Sequence, residues 1–314
     1  MNVITGNKIL AHLDRVIGDH RPITADVFLN NYCNNECPYC AYKRWELDAN
    51  ARYMPFEDFV RYTDRLIELG VLGIILSGGG EPSISKDFEP IINWMDAVGI
   101  KWGINTNFNK YFEGTPEYLK VSLDAWDEDS YERSRGVRSY EKVRDNIVQF
   151  AKIKAEHTKL GIQLVAKSEE AVYKFYEANA DLPVDYISIR PVESTNGVFY
   201  KGIYQETQDV IHAIKQLCDL DKRVVLNYKW DMIGVQQDTC TAQWSQIAVN
   251  EVGEVMYCCH KPYQIIGHIM DKDILYKKAK AETDMSMCDI PCRLTAPNYE
   301  VARINAVQTN AEFI

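Results

Sequence analysis

Cysteine is missing from residues 1–32 and from residues 41–217, although the chain holds nine of them. Also missing is any apolar run long enough to cross a bilayer. The opening stretch MNVITGNKILAHLDRVIGDH carries charge throughout and has no signal-peptide core. The expected location is therefore the cytoplasm, where thiols stay reduced, and the confined cysteines raise the question of metal binding. Positive charge is short as well: 35 Lys and Arg face 45 Asp and Glu, for a net charge of −10. That balance excludes general binding to long nucleic acids or to an anionic membrane face, which need a basic surface. It leaves small, neutral or zwitterionic ligands open. No low-complexity segment and no close repeat is present. A hydrophobic fraction of 46% excludes a disordered chain, and 314 residues allow one large domain, or a large and a small one.

What is present is a β/α rhythm. Residues 6–18 read as a short helix and Thr24–Asn30 as a strand. The first cysteines follow in a loop, residues 31–45. Residues 55–69 form an amphipathic helix whose expected buried stripe is Phe56, Phe59, Val60, Leu66 and Ile67, stopped by Gly70. The apolar run at 71–77 suits a strand buried on both faces, and Gly78–Pro82 breaks it. Helices are expected at 87–98, 139–157 and 168–180, and strands at 99–105, 119–123, 161–166 and 184–190. Six β units, mostly followed by helices, imply a parallel sheet with helical crossovers. Six is fewer than the eight of a closed barrel, so the expected α/β fold is an open or partial barrel with chemistry at the strand C-termini. After residue 191 come a loop, a helix at 206–219, a hairpin at 246–257, a helix at 271–281 and only short elements beyond 283. A domain boundary is expected near 220–235.

Cys33, Cys37 and Cys40 place three thiols within eight residues. A loop of that length wraps three corners of a small cluster, and thiolates favour zinc or iron–sulfur chemistry. Structural zinc sites show four ligands, commonly in paired knuckles, and no partner pair lies nearby. Three local ligands leave a fourth metal position open for a substrate or cofactor. Arg190 ends the sixth strand, where a charge faces the barrel mouth, with Glu193 on the same loop. Of the histidines only His260, beside Cys259, has a suggestive neighbour.

The C-x3-C-x2-C loop after a first strand resembles that of the radical S-adenosylmethionine (SAM) superfamily. Tyr39 fills the aromatic position before the last cysteine, near the adenine in that family. Gly79-Gly80-Glu81-Pro82 resembles the GGE motif that contacts the methionine amino group. Ser122-Leu-Asp124-Ala resembles the SLD segment of ribose or carboxylate contacts, and Arg135-Gly136 the Arg-Gly that follows it. One departure is Thr106-Asn107-Phe108, where many members carry Thr-Asn-Gly, so the contacts of Asn105 and Asn107 stay open. The resemblance implies a partial (β/α)6 barrel over residues 22–225, after a helical extension at 1–21. It also implies a [4Fe–4S] cluster on Cys33, Cys37 and Cys40, with SAM on the free iron. Tyr39, Gly79, Gly80, Glu81, Asn105, Ser122, Asp124, Arg135 and Arg190 are the implied cofactor contacts. A 5′-deoxyadenosyl radical, an external one-electron donor such as flavodoxin or ferredoxin, and hydrogen abstraction from a C–H bond complete the expectation.

The second group begins at Cys240. The expected hairpin would bring Cys240 and Cys258 together, and Cys288 and Cys292 supply two further thiols. By spacing alone, zinc would suit four thiolates equally well. The C-x12-G-x4-C hairpin followed by a cysteine pair resembles the SPASM/Twitch extension of radical SAM enzymes. It implies a small Cys-rich α+β domain over residues 226–314 with one auxiliary iron–sulfur cluster, expected as [4Fe–4S], on Cys240, Cys258, Cys288 and Cys292. Cys259 competes with Cys258 as the ligand. A closed auxiliary cluster suits dehydrogenation. A spare thiol, Cys218 or Cys259, suits epimerisation by returning a hydrogen atom, although a buried inert thiol is the commoner meaning. The short N-terminal segment favours a small molecule over a peptide, with modification of a ribosomally made peptide as the alternative. A non-catalytic zinc scaffold is the reading from another class.

Overall fold

A computed structural model describes residues 10–18, 20–40, 42, 50–192, 204–233, 235, 237–285, 288 and 292–305. Glu193 and most of the expected 192–204 loop lie outside the described residues. Helix α1 (Leu13–Ile17) precedes β1 (Thr24–Val27). There follow α2 (Phe56–Glu68), β2 (Gly73–Leu76), α3 (Phe88–Val98), β3 (Trp102–Thr106) and β4 (Tyr118–Ser122). Next come α4 (Glu128–Arg135), α5 (Tyr140–Ile153), β5 (Lys159–Ala166), α6 (Glu169–Asn179) and β6 (Tyr186–Pro191). The chain continues through α7 (Tyr204–Leu220), β7 (Val224–Leu226), β8 (Gln246–Val249), β9 (Glu254–Met256), β10 (Ile265–His268), α8 (Ile274–Lys280) and α9 (Thr295–Asn305).

The ten strands form one mixed sheet in the order β10-β9-β8-β1-β2-β3-β4-β5-β6-β7. Pairing from β8 through β1 to β7 is parallel throughout, while β8, β9 and β10 form an antiparallel meander at one end. The architecture is that of an α/β partial barrel. Two strands extend the six expected: β7, of only three residues, and β8, which pairs with its hairpin partner β9 on one edge and with β1 on the other. Periodicity finds the hairpin but carries no information about its outer neighbour. An eleven-residue helix, α9, also forms where only short elements were expected.

Strand alternation sorts each strand into two faces. On β4 the apolar Leu119 and Val121 are buried towards the helices, while Tyr118, Lys120 and Ser122 alternate with them. Register then builds layers across the barrel: Asn105 pairs with Lys120, Lys120 with Gly161, Ser122 with Gln163, and Gln163 with Ser188. The Tyr118 ring occupies the space over Gly103, and the Tyr186 ring the space over Gly161, so two tyrosines fill the narrow end. On the helix side, Phe88, Phe108, Phe112 and Phe150 form a connected aromatic core. The buried face of α2 differs from the expected stripe. Tyr62 and Thr63 are buried with Phe59 and Leu66, whereas Ile67 is 49% exposed. Contacts from Val252 and His268 hold Tyr62, and these come from the far end of the chain.

Candidate active site

A cavity of about 480 Å³ opens at the C-terminal ends of the parallel strands. The three thiols of the first cysteine loop line it, facing Gly78–Glu81 from β2 and Asn105–Asn107 from β3. Each loop is held by its neighbours. The Glu81 N–H donates to Tyr32 O at 2.9 Å, and Asn30 Nδ2 donates to Glu81 O at 2.8 Å. Gly79 sits at φ = +78°, open to glycine without strain, and a side chain at Gly80 would collide with Tyr32 O. The glycines of GGEP thus seat this loop on the start of the cysteine loop.

Glu81 is buried, and its carboxylate accepts four hydrogen bonds. Ser83 N, Ser83 Oγ and Thr106 Oγ1 donate to Oε1 at 3.1, 2.7 and 2.5 Å, and Asn107 N donates to Oε2 at 2.7 Å. Burial pushes this carboxyl above its usual range, and the four donors pull against that shift. Oε2, with a single donor, retains capacity to accept from an ammonium group.

The departure at Phe108 resolves in the backbone. Phe108 adopts φ = +57°, the left-handed conformation that glycine takes freely. Its ring is fully buried against Phe112 and Phe150, and this packing offsets the strain. The loop therefore delivers Asn107 to the site: its N–H reaches Glu81 and its Nδ2 lies 3.7 Å from Cys33 Sγ.

Asp124, expected as a cofactor contact, is an internal anchor. Held at φ = +51°, it accepts from Val165 N at 2.6 Å and Tyr39 OH at 3.1 Å, and it forms a buried ion pair with Arg135. The following helix α4 is capped by Asp127, which makes a reciprocal capping box with Ser130. Arg135 in turn directs Nη1 at Cys37 Sγ, 3.6 Å away. Its carbonyl accepts from Glu36 N at 2.8 Å, and Gly136, at φ = +74°, lies where a side chain would strike Glu36. The Arg135-Gly136 pair thus clamps the cysteine loop.

The donor set fits an iron–sulfur cluster. Asn35 N, Asn107 Nδ2 and Arg135 Nη1 all point at cysteine sulfurs, as partners for thiolate charge. Among the described residues no group of three or more Cys, His, Asp or Glu is gathered tightly enough for a single metal ion. Burial raises the Cys33 thiol to about 11. Asn105 Oδ1 is buried with no donor among the described residues, an acceptor available to a bound molecule. Tyr39, Asn105, Ser122, Arg135 and Arg190 all line the cavity with the three thiols.

The C-terminal cysteines divide. Cys240, Cys258, Cys288 and Cys292 are close enough for each of the other three to raise the Cys240 thiol, which burial already pushes up to about 12. Asn298 on α9 donates to Cys240 Sγ at 3.7 Å, and Leu294 N to Cys292 Sγ at 3.3 Å. Cys259 turns the other way and lines the barrel cavity. Its Sγ accepts from Arg293 Nη2 at 3.2 Å and lies 3.7 Å from Gln246 Nε2. Burial opposes its ionisation, but Arg293 and His260 outweigh that and hold the thiol at about 7. Cys218 belongs to neither group. It lies in the main core on α7, with Sγ donating to Val224 O at 3.4 Å, away from the cavity lining.

Several cavity residues escaped the sequence reading: Asp26, Lys120, Gln163, Ser188 and Arg293. Four of them share a signal, a polar residue with an apolar neighbour on each side within a strand, such as Asp26 in TADVF or Gln163 in GIQLVA. Arg293 has no such signal. It reaches back 267 positions to pair with Asp26 at 2.5 Å.

The radical SAM superfamily model matches residues 27–177. A GTP 3′,8-cyclase of Psychromonas ingrahamii is 21% identical over 174 residues, covering 52% of this chain and 49% of that one. A probable GTP 3′,8-cyclase of Pyrococcus horikoshii is 25% identical over 209 residues, covering 63% and 66%. The chain thus spans between about half and two thirds of those relatives. Among solved structures, SuiB of Streptococcus suis bound to its precursor peptide SuiA has a TM-score of 0.59 at 15% identity, covering 96% of this chain and 71% of that one. Native anSMEcpe with bound AdoMet has a TM-score of 0.59 at 17% identity, covering 86% and 83%. The similarity of these structures is one of fold. Together with the cysteine loop, the GGEP turn and the strand-end cavity, the superfamily match shows that this protein carries a radical SAM catalytic domain.

Proposed function

We propose that this protein is a radical SAM enzyme that abstracts hydrogen from a C–H bond of a peptide residue, with a second iron–sulfur cluster in a Twitch-like C-terminal segment. When bound, a [4Fe–4S] cluster and SAM supply a 5′-deoxyadenosyl radical. The chain's own part is to hold and orient. Cys33, Cys37 and Cys40 would hold the cluster, and Glu81 and Asn105 offer acceptors to SAM. Ser122, Arg135 and Arg190 line the same cavity and present donors for its polar groups. Cys240, Cys258, Cys288 and Cys292 would hold the auxiliary cluster. Cys259 would return a hydrogen atom in an epimerisation, a reading supported by its position on the cavity wall; the core position of Cys218 speaks against that role for it.

The observation that carries the peptide reading is the fold shared with the SuiB–SuiA complex over 96% of this chain. The sequence favoured a small molecule, and a specific observation still supports that second reading: the matched curated relatives are GTP 3′,8-cyclases. One experiment separates the two. The anaerobically reconstituted protein is incubated with SAM, a strong reductant and either a digest of perdeuterated protein or perdeuterated nucleoside triphosphates. Deuterium in 5′-deoxyadenosine from the digest alone supports the peptide reading. Transfer from the nucleotides alone overturns it, and no 5′-deoxyadenosine under any condition overturns radical SAM activity itself.

A further inference from the structure

The surface of this protein is acidic and its cavity is not. Seven Asp, Glu, Lys and Arg side chains line the cavity, and five of them are cationic: Lys120, Arg135, Arg190, Lys229 and Arg293. The two carboxylates are already engaged. Glu81 is held by its four donors, and Asp26 pairs with Arg293 and accepts from Gln246. In a chain with a net charge of −10, this concentration of positive charge is local and built.

All five cations line one cavity, and two of them have an expected partner. Arg135, beside Cys37, and Arg190, which ends β6 in register with Val165, lie where the cluster and the single SAM carboxylate would sit. The other three, Lys120, Lys229 and Arg293, line the same cavity. Lys120 stands on β4, one inward position deeper than Ser122 and in register with Asn105 and Gly161. Arg293 comes near Tyr118, the next inward residue below Lys120, and its charge lowers that phenol against the effect of burial. Lys229 sits on a short 3-10 turn, Tyr228–Met232, whose N-terminus is capped by Asn227 Oδ1 at 3.0 Å. Lys229 and Arg293 both line the cavity, and both act electrostatically on Cys292.

We infer that Lys120, Lys229 and Arg293 form a subsite for an anionic group of the substrate, a carboxylate or a phosphoryl group. The inference rests on the radical SAM reading and narrows its substrate class to molecules or peptide residues carrying such a group close to the reacting carbon. Arg293, fixed by Asp26, presents a planar donor face, and the two lysines add point charges. An anion held there would lie beside Cys259, which Arg293 also touches at 3.2 Å. Substrate orientation and the thiol are thereby set by one guanidinium.

The test is binding to the iron-loaded, SAM-bound protein, followed by calorimetry with inorganic phosphate and, separately, with succinate. One-site binding of either probe is expected, and the tighter of the two assigns the group as phosphoryl or carboxylate. Lys120→Met and Lys229→Met should each weaken it about tenfold, the loss expected for one charge-assisted contact. Lys120→Arg should recover most of that loss, and Lys152→Met, on an exposed part of α5, should change nothing. Binding of neither probe, or equal binding by iron-replete Lys120→Met and wild type, overturns the subsite. Should a methionine variant fail to take up iron, the wild type decides: affinity must fall steeply with added KCl, and salt-independent binding overturns the proposal. Formation of 5′-deoxyadenosine by the wild type reports separately on the catalytic reading.

Discussion

Asp124 and Phe108 carry positive φ for opposite reasons, and both shape the site. Asp124 gathers Arg135, Tyr39 and the Val165 N–H on one buried carboxylate. Asp124→Ala leaves Arg135 buried and unpaired, which should cost about 3–5 kcal/mol in denaturant unfolding and weaken iron retention at Cys37. Phe108→Gly would relieve roughly 1–2 kcal/mol of backbone strain but forfeit about 3–5 kcal/mol of aromatic burial. Burial wins, so that variant should unfold at lower denaturant than the wild type. The adjacent thiols give a sharper contrast. Cys258→Ala should lower the iron content from about eight per chain, the sum of two four-iron clusters. Cys259→Ala should leave iron unchanged, because its sulfur faces the cavity rather than the other three thiols. Equal iron loss in both variants would remove the basis for assigning Cys258 as the ligand.

Among the elements, the strands owe their fit to small residues facing large ones. Tyr186 lies over Gly161 and Tyr118 over Gly103, each ring taking the space that a side chain on the glycine would need. A methyl group at Gly161 displaces the Tyr186 ring, so Gly161→Ala should cost about 1–3 kcal/mol, measured by urea unfolding. Helix α9 works in a different way. Asn298 bonds Ala242 N and Gln237 and points at Cys240, so this one helix secures the loop that carries Cys240.

Across the whole molecule, the sheet joins the two cysteine groups. Strand β8 pairs with β1, the strand that feeds the first cysteine loop, and its hairpin leads into Cys258. Removing iron should expose a characteristic pH response. In the metal-free protein, burial holds Cys240 at about 12 and Cys258 at about 11, above the usual 9.0. Between those values the folded chain retains protons that the unfolded chain has lost, so stability is full below pH 9 and falls above it. Lys278 acts in the other direction. Burial lowers it to about 8, so over pH 8 to 10.5 the unfolded chain binds more protons and this residue adds stability as pH rises. Two thiols outweigh one lysine above pH 9. Melting temperature should therefore rise slightly from pH 8 to 9 and then drop, and iron loading, which keeps the thiols ionised at all these pH values, should abolish the drop.

The β/α alternation and the close spacing of Cys33, Cys37 and Cys40 were decided by the sequence alone, because both are local. Side-chain period and loop length are properties of a few consecutive residues. The motifs GGEP and Arg135-Gly136 were visible too, although their glycines serve close contacts between loops that only the fold displays. Tertiary structure decided the rest. The α2 stripe rotated to Tyr62 and Thr63 because residues near 252 and 268 pack there. Cys258 and Cys259 are neighbours in sequence and are sent to different sites by the turn that follows β9, whose course depends on what packs around it. The cationic lining assembles from β4, the turn at Tyr228–Met232 and Arg293, far apart along the chain. Net charge counts all residues equally, whereas a cavity selects a few, so an acidic protein encloses a basic site.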